Sequence, residues 1–156
     1  MISGLRPSNP KIISNYIEVL DRGIYFSVGS DIKPEIYNNT IYLTGDFARG
    51  YQGSLSDTVK IYNNLIIVEN GDHTIGISNS NVPTLTINNF VNGNYEYGIG
   101  LGGLNLVENN VTTSGERGFS VAPGNTIVNY NNSWNNEIDY QFHTRFHKPL
   151  CRSNDS

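Results

Sequence analysis

The chain holds a single cysteine, Cys151, so no intrachain disulfide framework can staple it. Charged residues make up only 15%, against roughly 25% in a typical soluble domain. The net charge is −4 and there is no run of Lys or Arg, which sets aside nucleic acid as a partner, because a nucleic-acid groove needs a basic stripe. No apolar stretch is long enough to span a bilayer, and Met1 to Pro7 lacks a charged start followed by an apolar run; neither membrane insertion nor a signal peptide is expected. A Ser/His/Asp or Cys/His nucleophile arrangement and a phosphate-binding glycine loop are also missing, since Gly100-Leu101-Gly102-Gly103 fits a strand and turn.

What the chain has in plenty is Asn, 23 residues in 156, together with 16 Gly and 10 Tyr. Asn and Gly are poor in helix interiors, so a helical bundle is disfavoured. They suit short strands joined by tight turns.

One frame recurs, aliphatic-x-x-Asn-x-aliphatic. It reads Ile12…Asn15…Ile17, Ile36…Asn39…Ile41, Ile61…Asn64…Ile66, Leu85…Asn88…Phe90, Leu106…Asn109…Val111 and, more weakly, Val128…Asn131…Ser133. The steps between these Asn anchors are 24, 25, 24, 21 and 22 residues. A period of that size marks a solenoid. Within each unit the alternation is two, which means strand; Ile36, Ile41 and Leu43 should face inward, as should Ile61, Ile66 and Val68. A second strand follows a glycine, as at Gly23, Gly76, Gly98 and Gly118, and a third leads to the next anchor. Three short strands per turn describe an all-β parallel β-helix of about six rungs, a rod roughly 29 Å long at the usual strand spacing. The organisation is an irregular lead-in over 1–10, the β-helix over 11–144 and a polar tail over 145–156. Asn suits the anchor because it tolerates left-handed backbone angles and can bond amide to amide along a stack. Asn38, Asn110, Asn131 and Asn154 also begin Asn-x-Ser/Thr sequons; Asn131, as an anchor, should face inward and is discounted as a glycan site.

This repeat, over roughly Lys11 to Thr144, resembles the right-handed parallel β-helix repeat of the pectin-lyase-like superfamily. The resemblance implies a function among polysaccharide lyases and glycoside hydrolases, phage tailspikes and adhesins, and a location outside the cell or on a cell or virion surface. Fold alone selects none of these. Asn70-Gly71-Asp72-His73-Thr74-Ile75 shares Gly71, Asp72 and Ile75 with a polygalacturonase segment, but that family's other motifs and the arginine motifs of pectate lyases are missing.

Chemistry could sit on an acidic column ahead of the second strand: Asp21, Asp46, Asp72, Glu96, Glu116 and Glu137, with Arg22, Arg49, His73 and Arg117 beside it. The candidate catalytic set is Asp46, Asp72, Glu96, Glu116, Arg49 and Arg117. Paired carboxylates can act as general acid and base on a polysaccharide. Alternatively, clustered carboxylates can hold Ca²⁺ while an Arg takes a proton beside a uronate. The competing reading is a solvated edge whose charges alternate to avoid like-charge stacking. Tyr25, Tyr42, Tyr51, Tyr62, Tyr95, Tyr97 and Trp134 are expected mostly outside or in turns, where rings can stack on sugars. His143, His147 and Cys151 recur at steps of four, but Pro149 disrupts the helix that would align them on a metal. Two functions are therefore carried forward: a carbohydrate-binding or polysaccharide-processing β-helix, and a non-catalytic structural or adhesive module. Both open ends of a β-helix need cover, which points to a homo-oligomer or a piece of a longer solenoid.

Overall fold

The structure, a computed structural model, describes residues 9–27, 33–54, 58–69, 71–79, 83–122, 124 and 126–142. Most of the lead-in, the tail, and His143, His147 and Cys151 lie outside the described residues. Among the described residues there is no helix, and so none long and apolar enough to cross a membrane.

Eighteen strands follow one another three to a rung. Rung one is β1 (Lys11–Ile13), β2 (Tyr16–Val19) and β3 (Arg22–Ser27). Rung two is β4 (Glu35–Tyr37), β5 (Thr40–Leu43) and β6 (Arg49–Ser54). Rung three is β7 (Val59–Tyr62), β8 (Leu65–Val68) and β9 (Ile75–Asn79). Rung four is β10 (Thr84–Ile87), β11 (Phe90–Gly93) and β12 (Tyr97–Leu101). Rung five is β13 (Asn105–Glu108), β14 (Val111–Thr113) and β15 (Arg117–Val121). Rung six is β16 (Thr126–Asn129), β17 (Asn132–Trp134) and β18 (Ile138–Phe142). Like strands stack in parallel into three six-stranded sheets: A (β1, β4, β7, β10, β13, β16), B (β2, β5, β8, β11, β14, β17) and C (β3, β6, β9, β12, β15, β18). From β1 to β16 the chain completes about five turns of a parallel solenoid.

The bend from sheet A to sheet B takes two residues in every rung. The first is left-handed: Ser14, Asn38, Asn63, Asn88, Asn109 and Tyr130 have φ of 53–57°. The second is the ladder Asn: 15, 39, 64, 89, 110 and 131. Each Oδ1 from Asn39 to Asn131 accepts both the backbone N–H and the Nδ2 of the ladder Asn one rung earlier, at 2.9–3.1 Å. From Asn39 onward, each Nδ2 also donates to the carbonyl two residues back and to one in the previous rung, as Asn64 does to Tyr62 and Ile36. The ladder expected from the sequence is real, but in rungs four and five it runs through Asn89 and Asn110, not Asn88 and Asn109. Left-handed geometry and the amide ladder, expected on one residue, fall on two neighbours. Asn110 is fully buried and Asn131 is bonded within the ladder, so neither sequon is open to a glycan; Asn38 is exposed.

Ile36, Ile41, Leu43, Ile61, Ile66 and Val68 face the core as expected. Rung four inverts the expected frame, with Thr84 and Thr86 inward and Leu85 and Ile87 outward. From rung three to rung six, one sheet B column steps down in size through Ile66, Val91, Thr112 and Ser133. The sheet C column steps up through Ile77, Ile99, Phe119 and Tyr140. Small side chains on one wall thus make room for large ones on the other, which keeps the core close-packed. Tyr51 and Tyr95, expected outside, are each 1% exposed and belong to this core.

The second residue of each sheet C strand is Gly23, Gly50, Gly76, Gly98, Gly118 and, in rung six, Asp139. At each glycine a Cβ would lie 2.5–2.8 Å from the main-chain oxygen of the same position one rung on. The sheet can close over this column only where no side chain is present.

Candidate functional site

The candidate site residues sit at the bend from sheet B to sheet C. This bend varies in length, with two residues in rung one, five in rung two, six in rung three and three in each of rungs four to six. Stacking therefore puts Asp21, Ala48, Thr74, Glu96, Glu116 and Glu137 in one column, each immediately before the first residue of a sheet C strand. Asp46 and Asp72 are displaced from it by two residues, in the turns closed by Ala48 N–H to Gly45 O and Thr74 N–H to Gly71 O. The charges also do not alternate throughout, because Arg22 and Arg49 are direct neighbours in β3 and β6. Arg22 is relieved by Asp21 at 3.7 Å and by the Tyr25 ring at 4.6 Å.

Two groupings emerge. The first is a surface relay across rungs two to five. The Phe47 ring stacks on His73 at 5.1 Å. His73 Nδ1 lies 3.4 Å from Glu96 Oε2, and Glu96 Oε1 takes Arg117 at 3.4 Å. Arg117 also pairs with Glu116 at 2.6 Å and lies 4.9 Å from the centre of the Tyr97 ring. Burial raises the Tyr97 phenol above its ordinary range, although Arg117 pulls the other way. Half-exposed ion pairs of this kind contribute little to stability. They do occupy the arginine: both of its terminal nitrogens have carboxylate partners, which leaves it poorly placed to act as a base.

The second grouping is a groove of about 420 Å³ running over rungs three to six. Asp72, Glu116 and Glu137 line it, with Asn94, Ser114 and Asn135 between them and the buried Tyr95 behind. Gly93, Ser114 and Asn135, in equivalent positions, all have positive φ (120°, 70° and 57°), so this corner bends as the first one does. Asn136 anchors it. Its Oδ1 accepts the Gly115 N–H at 2.9 Å and the Tyr95 hydroxyl at 2.7 Å, and its Nδ2 donates to Trp134 O and to Asp139 Oδ1. Burial pushes the Tyr95 phenol far above its ordinary value, so it remains a donor here. Among the described residues no cation lines the groove, and no three His, Cys, Asp or Glu side chains come close enough to hold a metal ion.

Of the six candidates, Asp72 and Glu116 meet in the groove. Glu96 and Arg117 meet in the relay, linked to the groove through Glu116. Asp46 remains in its exposed turn, where its carbonyl accepts the His73 N–H. Arg49 sits three strands from Arg117 in sheet C, ~14 Å at the usual strand spacing. Sequence reasoning passed over Asn94, Ser114 and Asn135. The signal was in reach, because Asn135-Asn136 repeats the left-handed-then-anchor dipeptide of the A–B bend.

The outer faces of sheets A and B are the other unusual surface. Leu85, Ile87, Leu106 and Ile127 point out of sheet A beside the stacked pair Tyr37 and Tyr62, whose ring centres are 4.7 Å apart. Leu65, Ile67, Phe90, Val111 and Trp134 point out of sheet B. Ile127 is 56% exposed and Trp134 45%. Comparison with protein families, curated proteins and solved structures gives no match.

Proposed function

We propose that this protein is a carbohydrate-binding β-solenoid of the pectin-lyase-like type that holds a glycan in the B–C groove without cleaving it. The observation that carries the reading is the lining of that groove: carboxylates, amides and a hydroxyl from four successive rungs, spaced along a rod. Such groups bond sugar hydroxyls directly. Among the described residues the groove carries three carboxylates and no cation, so a polyuronate is repelled and a neutral or amino-sugar polymer fits better. Arg117, which pairs with Glu116, is held by both Glu116 and Glu96, which argues for binding over lyase chemistry. The test is affinity electrophoresis and calorimetry against xylan, glucan, chitosan and polygalacturonate, with release of reducing ends measured in parallel. Retardation by a neutral or amino polymer, weakened about tenfold in Asp72→Asn/Glu116→Gln, is expected. Binding that is unchanged in the double variant removes the groove from the proposal, and steady release of reducing ends removes the non-catalytic part.

A second reading, a structural or adhesive module, is favoured by the apolar exterior of sheets A and B, since exposed apolar patches of this kind mark contact surfaces. Ile127→Lys and Leu106→Lys should lower the mass seen by light scattering if that face joins copies. An unchanged mass counts against it.

A further inference from the structure

The two ends of this rod are chemically different. Along the ladder each Oδ1 serves the Asn one rung earlier, so Asn39 serves Asn15 and Asn131 serves Asn110. Two groups are left over among the described residues: the Asn15 Oδ1, with no donor, and the Asn131 backbone N–H, with no acceptor. On this column alone, the last rung of one copy would satisfy the first rung of the next.

The glycine column decides otherwise. Each glycine from Gly23 to Gly118 leaves the space that the next rung's main-chain oxygen fills, at 2.5–2.8 Å from where a Cβ would be. Rung six has Asp139 in that place. Its carboxylate is fixed by Ser133 Oγ at 3.3 Å and Asn136 Nδ2 at 3.1 Å. A rung seated on rung six in register would drive its oxygen into the Asp139 Cβ. Among the described residues the first rung carries no such obstacle: continuing the column, the Gly23 oxygen would fill the space left by a glycine in a preceding rung. Arg22 is also available there to an acid two residues before that glycine, as Arg117 takes Glu96 two residues before Gly98.

We infer that the edge formed by β1, β2 and β3, which ends all three sheets among the described residues, is a docking surface for another β-solenoid rung, one with Asn at its A–B bend and acid-x-Gly entering its third strand, and that Asp139 bars this chain's own last rung from that place. The partner is thus a solenoid segment other than this one, whether joined in the same polypeptide or separate.

The test removes the bar. In parallel stacking, Lys11 of one copy would lie beside Ile127 of the next at ~4.8 Å, within reach of a disulfide. Lys11→Cys/Ile127→Cys in a Cys151→Ser background should remain monomeric on non-reducing gels after oxidation. Adding Asp139→Gly should produce a ladder of dimers, trimers and higher species. Adding Asp139→Ala, which keeps the Cβ, should not, and Asn15→Ala should weaken the Asp139→Gly ladder. A ladder without Asp139→Gly, or none with it in a protein whose circular dichroism is native, overturns the inference. If Asp139→Gly does not fold, a copied rung decides: residues 84–104 inserted between Asn9 and Pro10 should raise Tm by several degrees. The same copy inserted between Phe142 and His143 should not. No rise at the first position, or an equal rise at both, refutes the asymmetry.

Discussion

Replacing Asn64 by Ala removes the middle of the ladder. Its side chain donates to Ile36 O, Tyr62 O and Asn89 Oδ1 and accepts the Asn39 N–H and Nδ2, so five hydrogen bonds are lost together in the core. Two Nδ2 protons shared among three acceptors make these less than five full bonds. At about 1 kcal/mol net for each bond, with a larger cost for the Asn39 donors left buried, the loss comes to roughly 4–6 kcal/mol. That is a large share of the ~5–15 kcal/mol that holds a domain folded, and it corresponds to ~10–20 °C in Tm for a chain of this size. Two comparisons isolate the cause. Asn15→Ala loses only the bonds to Ile13 O and Asn39 Oδ1 at an exposed end, and should cost about 1 kcal/mol. Asn63→Gly changes the exposed left-handed neighbour, whose φ of 56° glycine accepts freely, and should cost under about 0.5 kcal/mol. Urea denaturation followed by circular dichroism reads all three. Equal losses for Asn64→Ala and Asn63→Gly, or for Asn64→Ala and Asn15→Ala, would refute the division of labour between the two bend residues.

Gly76→Ala should be among the worst single changes in the molecule, because the new methyl meets the Gly98 oxygen at 2.5 Å and Val91 Cγ1 at 2.6 Å; loss of the cooperative thermal transition or of soluble expression is the expected readout. Tyr51→Phe should be neutral or stabilise by about 1 kcal/mol in the same urea assay, since the Tyr51 hydroxyl is buried with no hydrogen-bond partner among the described residues. Glu35 is held below the ordinary carboxylate range, first by the hydrogen bond from Lys60 at 2.9 Å and then by Lys11 at 3.2 Å. The folded state therefore releases this proton more readily than the unfolded one. The resulting stability is present above the ordinary Glu value and is lost as pH falls through the depressed one. Glu35→Gln should flatten that acid limb in a plot of Tm against pH, and an unaltered limb would rule out this assignment.

The period, the three-strand rung and the inward aliphatics of rungs two and three were legible because there apolar and polar residues alternate as a half-buried strand requires. Rungs four and five misled for a physical reason. Leu85, Ile87 and Leu106 lie outside while Thr84, Thr86 and Asn105 lie inside, so the alternation points the wrong way and places the anchor one residue early. The doubled Asn at 88–89 and 109–110 hid the slip, as either residue satisfies the frame. At the candidate site, Asp46 and Asp72 fell out of column because rungs two and three spend extra residues in the B–C turn, which a count of sequence steps cannot assign to one bend over another. Glu96 and Glu116 kept their register because rungs four and five have equal turns.

That unequal spacing has a consequence for how such a chain can change. All variation in the described B–C bends is carried outside the sheets, while the A–B bend is two residues long six times over. An insertion at the A–B bend would break the amide column in its own rung and in both neighbours. An insertion at the B–C bend only lengthens a surface loop beside the groove. New specificity can therefore be grafted or evolved at one corner of the rod, rung by rung, while the opposite corner keeps the register that makes the grafts line up.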